Sequence, residues 1–110
     1  MLTDEQRRIY AAMADVLIPN AEGMPSASQA DVPTKWIDDA LGYRPDLEEG
    51  LLRAIEFGAT LDPTEAVETL NAQDTEAFDA LGVLTSGSYF LHPTVKDRIE
   101  YDPAHRNVLT

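Results

Sequence analysis

Helix-start signals recur along this chain at such short intervals that no helix can run far, and no other feature constrains the fold as much. Thr3-Asp4-Glu5-Gln6 has the form of a capping box, with a hydroxyl and a glutamine placed to satisfy free backbone amides. Pro33 and Pro45 fit the first turns of a second and a third helix, where proline's missing amide donor costs nothing. Asp62-Pro63-Thr64-Glu65 repeats the signal, with Asp62 as cap and Pro63 in the first turn. Asp74 caps a further helix, and Pro93 restarts a short one. Stops are equally local. Pro19 disfavours helical geometry at Ile18, and Gly42 reads as the end of the second helix.

Between these signals the apolar residues fall at helical spacing. Ile9, Ala12, Met13, Val16 and Leu17 form one stripe, and Val32, Trp36, Ile37, Ala40 and Leu41 a second, broader face. Leu47, Leu51, Leu52 and Ile55 line the third helix with Glu48 and Glu49 outside, and Ala66, Val67 and Leu70 the fourth. Phe78, Leu81, Gly82 and Thr85, flanked by Leu84, line the next, and Val95 and Ile99 follow Pro93. Gly58 either permits close packing or weakens its helix near the end. The small residues Gly82, Ser86, Gly87 and Ser88 permit close backbone approach. Residues 20–31, rich in Pro, Gly, Ser and Ala, read as a loop: a mobile connector, or one that drapes over another surface. No stretch alternates with period two, and no internal repeat is present. The expected fold is all-α, a small irregular bundle of about five to six short helices with extended loops. Residues 1–101 form the domain and residues 102–110 an extended tail.

At 110 residues the chain makes one domain with a modest core, and 44% apolar residues argue against general disorder. A net charge of −12 excludes nucleic acid and anionic lipid as partners, and it could complement a basic protein surface. Without cysteine there is neither a disulfide nor a thiolate metal site. No apolar run approaches the ~20 residues that span a bilayer. The first residues move straight into a helix start and lack an export segment. The expected location is therefore cytoplasmic, or periplasmic if a leader was removed or the complex is exported.

Little in the sequence points to a reaction centre. Asp38-Asp39 and Glu48-Glu49 are neighbours whose side chains diverge on a helix, so solvated helix faces explain them better than paired acid and base. His92 and His105 are the only histidines, and neither has a partner at helical metal-site spacing. No glycine-rich strand-to-helix turn provides a dinucleotide site. The chain is expected to hold no cofactor and no metal, and to have no catalytic residue. Aromatics are the more informative side chains. Tyr89 and Phe90 are consecutive, so one is expected to enter the core while the other meets a partner or caps the turn. Trp36, Tyr89, Phe90, His92 and Tyr101 are the candidate partner-interface residues.

Two short segments carry a resemblance. Asp15-Val16-Leu17-Ile18-Pro19 closes the first helix, and Gly87-Ser88-Tyr89-Phe90-Leu91-His92-Pro93-Thr94-Val95 takes a helix through an aromatic turn into a restart. In this order, separated by short helical segments, they resemble the gluconate 2-dehydrogenase subunit 3 family over roughly residues 3–101. The resemblance implies a non-catalytic small subunit that binds and stabilises a large, FAD-binding dehydrogenase subunit of the glucose-methanol-choline type. FAD is then expected in the partner, with a cytochrome c as electron acceptor in some complexes. Members of the family often carry an export signal, which these first residues lack. Outside the resemblance, a free-standing helical adaptor or a small ligand-binding module also fits the residues.

Overall fold

A computed structural model describes residues 2–21 and 23–95. The protein is all-α: α1 (Asp4–Leu17), α2 (Ile37–Tyr43), α3 (Glu48–Thr60), α4 (Pro63–Gln73) and α5 (Thr75–Tyr89), with no strand among the described residues. A π-helical turn, Val32–Trp36, leads into α2, and a 3-10 turn, Pro45–Leu47, leads into α3. Residues 93–95 are helical again.

The caps form as their residues dictate. Thr3 Oγ1 accepts from the Gln6 amide at 3.1 Å while Gln6 Oε1 accepts from the Thr3 amide at 2.8 Å. Asp62 accepts from the Thr64 amide at 3.2 Å, with Pro63 in the first turn of α4. Asp74 accepts from the Ala77 amide at 3.1 Å and also receives Arg53 from α3 at 3.0 and 3.3 Å. One carboxylate thus caps α5 and ties it to α3.

That double duty has a pH signature. The Arg53 hydrogen bond, helped by the Ala77 amide, holds the Asp74 carboxyl below the usual carboxylate range. A carboxyl whose folded pKa is depressed adds stability above its unfolded pKa of about 4. The contribution is lost as pH falls through the lower, folded value. Wild-type stability should therefore drop more steeply in acid than that of Asp74→Asn, measured by urea unfolding from neutral pH downward. Parallel curves would contradict this role.

Helix α5 is the centre of the bundle, packed against α1, α2, α3 and α4. Its buried face is correspondingly wide: Ala77, Ala80, Leu81, Leu84, Thr85, Ser88 and Tyr89. Leu51 and Ile55 of α3, Leu70 of α4, Tyr10 and Met13 of α1, Val32 of the π-helical turn and Ile37 of α2 pack into the same core. In α1 the buried residues are Tyr10, Met13 and Ala14, whereas Ala12 is exposed, so the face lies to one side of the expected stripe. The Tyr10 phenol is within 2.8 Å of the Thr85 hydroxyl, and burial pushes its pKa well above the ordinary value. Gly42 lies within α2, which continues to Tyr43, so it is not the stop.

Close approach occurs at other glycines than those in α5. A Cβ on Gly50 would stand 2.8 Å from Ala80 Cβ, and one on Gly58 would stand 2.5 Å from Met13 Sδ. These two let α3 cross α5 and α1 tightly. Gly82 and Gly87 face open space instead.

Candidate functional site

The two segments of the resemblance meet on one loop. Residues 20–31 read from the sequence as a loop, a mobile connector or one that drapes over another surface. Ala27 and Ala30 are fully buried, and the loop is bonded to the ends of α1 and α5. From α1, Asp15 accepts from the Ser28 amide at 2.8 Å and from its hydroxyl at 2.5 Å. The Ile18 carbonyl accepts from Ala27 at 3.0 Å. From the other side, the Tyr89 hydroxyl donates to the Pro25 carbonyl at 2.7 Å. Gly23 takes the positive φ of +78° that lets Ala21 and Met24 pair across the tip. Sequence alone could not find this, because Asp15 and Ser28 are ordinary surface types until the loop folds back.

The loop ends at Asp31, whose φ of +61° is a left-handed conformation that aspartate tolerates better than most residues. Its carbonyl accepts from both the Lys35 and Trp36 amides, opening the π-helical turn. His92 Nε2 lies 3.7 Å from the Asp31 carboxylate, and its Nδ1 accepts from the Thr94 amide at 3.2 Å. The His92 ring meets Trp36 edge-on, centroids 6.3 Å apart, and Lys35 Nζ sits 4.5 Å over the indole. Trp36 is half-buried, and its Nε1 is buried with no hydrogen-bond partner among the described residues. Beside this junction is an open hollow of about 620 Å³ lined by Asn20, Met24, Gln29 and His92 among others.

The expected interface residues are thus distributed unevenly. Trp36 and His92 contact each other, and Tyr89 joins the same junction from within the core at 5% exposure. Phe90 faces outward at 51% exposure, and Tyr101 lies outside the described residues. The consecutive aromatics therefore split, one inward and one outward. Their rings remain in edge contact at 5.8 Å between centroids.

Phe90 belongs to a second surface. Tyr43 at 76% and Val83 at 50% are the other large apolar side chains exposed among the described residues. Val83, Gly87 and Phe90 follow at i, i+4 and i+7, so they share one face of α5. Between this row and α2 lies an apolar cleft of about 150 Å³ lined by Ala40, Tyr43, Arg44, Val83, Leu84, Gly87 and Leu91. Neither Tyr43 nor Val83 was singled out from the sequence. The available signal was Val83's place off the buried stripe of its own helix.

Among the described residues no three His, Cys, Asp or Glu side chains are grouped to hold a metal, and no helix is long and apolar enough to cross a membrane. No protein-family model matches the chain, and no curated protein or solved structure shows a detectable similarity to it.

Proposed function

We propose that the chain is the non-catalytic small subunit of a heteromeric FAD-dependent sugar or alcohol dehydrogenase, binding and stabilising a large flavoprotein subunit. The reading rests on the resemblance carried by Asp15 to Pro19 and by the segment beginning at Gly87. One observation supports it most: both stretches converge on the same loop, Asp15 through Ser28 and Tyr89 through Pro25. In this reading they are framework parts that hold a binding surface in shape, as suits a subunit whose work is to bind. FAD belongs to the partner, and a cytochrome c is the candidate acceptor for its electrons.

Two outcomes are expected. The isolated chain should show no flavin absorbance and no dehydrogenase activity. Its thermal transition should rise when the large subunit is present in excess, because a partner that binds only the folded form stabilises it, by about 2.7 kcal/mol at a hundredfold excess over Kd. Stoichiometric flavin in the isolated chain, or an unchanged transition at saturating partner, would overturn the reading.

A further inference from the structure

We propose that the α2–α5 cleft is the docking site on this chain for one apolar side chain of leucine or phenylalanine size, presented by a lysine- and arginine-flanked surface of the large subunit. The proposal rests on the small-subunit reading and adds where the partner binds and with what chemistry. Three observations carry it.

The cleft has a socket's construction. Gly87 contributes no side chain and has nothing within 4 Å of where a Cβ would be, so a visiting group can reach backbone there. Ala40 and Leu84 continue the apolar lining, and Tyr43, Val83 and Leu91 stand around them. A volume of about 150 Å³ suits a single large side chain rather than an inserted helix.

The large apolar side chains exposed among the described residues are concentrated here. Tyr43 and Val83 line the cleft, and Phe90, the residue that caps α5, follows three positions after the lining Gly87. An apolar patch rimmed by polar groups marks an interaction surface, and such a central pocket is where binding energy concentrates.

The charge at the rim selects the occupant. Asp39 lies one turn before Tyr43 on α2, and Asp79 one turn before Val83 on α5. Both are exposed and have no ion-pair partner among the described residues. The one cation lining the cleft among the described residues, Arg44, is matched by Asp46 at 3.0 and 3.1 Å. A second copy of this chain would bring the same acids and another net charge of −12 against them. A cation-flanked apolar group is the complementary partner.

The test compares tagged wild-type chain with two variants for capture of the flavoprotein from the source cells. Gly87→Leu fills the socket from its floor, and the combined Tyr43→Ala, Val83→Ala and Phe90→Ala removes its walls. All of these side chains are exposed, so helical circular dichroism should be retained by both. Affinity for the flavoprotein is expected to fall at least about 30-fold in each, the scale of a lost interface anchor. Undiminished capture by both variants overturns the docking site and leaves the small-subunit reading standing. No flavoprotein on the wild-type chain overturns the functional reading and this occupant together. A homodimer in sedimentation that either variant dissociates assigns the face to a second copy and overturns the proposal.

Discussion

Tyr89→Ala is expected to lower folding stability by about 3–5 kcal/mol, the range for truncating a buried aromatic, while Phe90→Ala changes it by no more than about 0.5 kcal/mol. The two side chains are neighbours in sequence and opposite in role. Tyr89 closes the core at the end of α5 and its hydroxyl donates to the Pro25 carbonyl. Its loss removes packing from the bundle and unpins the loop that Asp15 holds from the other side. Phe90 caps the helix with its ring half in solvent. In the docking account its truncation instead weakens the complex. Equal stability of the two variants in urea unfolding would show that the aromatic turn does not divide in this way.

The second large effect is at Gly50. Replacement by valine is expected to destabilise the fold by about 2–3 kcal/mol, toward the upper end for overpacking. The nearest atom to the added Cβ would be Ala80 Cβ at 2.8 Å, fixed to the backbone of α5 and unable to rotate away. The helices themselves would have to separate. Gly82→Ala and Gly87→Ala should act in the opposite direction, each adding about 0.5–1 kcal/mol, because both lie inside α5 with open space at the Cβ position. Urea unfolding of the three variants checks the signs. A stabilised Gly50 variant would contradict the tight α3–α5 crossing.

These contrasts mark where the sequence is readable. The caps at Thr3, Asp62 and Asp74 were legible because each is settled within a few residues of chain. So was the all-α class, and so was the buried face of α4. In α3 Leu51 and Ile55 are buried as expected, but Gly50 and Ala54 share their face while Leu47 and Leu52 are only partly buried. Distances along the chain defeat the same reasoning elsewhere. Tyr10 is buried because the Thr85 hydroxyl, 75 residues away, satisfies its phenol. Which glycines allow close approach depends on where helices cross. The small residues of α5 drew notice in the sequence, yet Gly82 and Gly87 face open space, and Gly50, which nothing local marks, makes the tight α3–α5 contact. At the candidate site, the outward or inward direction of Tyr89 and Phe90 was left open by sequence, since consecutive residues constrain only their difference. Tyr43 and Val83 gain meaning only when α2 and α5 are set side by side.

The most direct test of the proposed role is to express the tagged chain in its source cells, isolate it under native conditions, and measure bound flavin per chain together with the identity of what accompanies it. One large flavoprotein in near-stoichiometric amount is expected, FAD-coloured and active on a sugar or alcohol, with the flavin leaving the chain when the two are separated. A chain that returns alone, or with partners that carry no flavin, would contradict the proposed role.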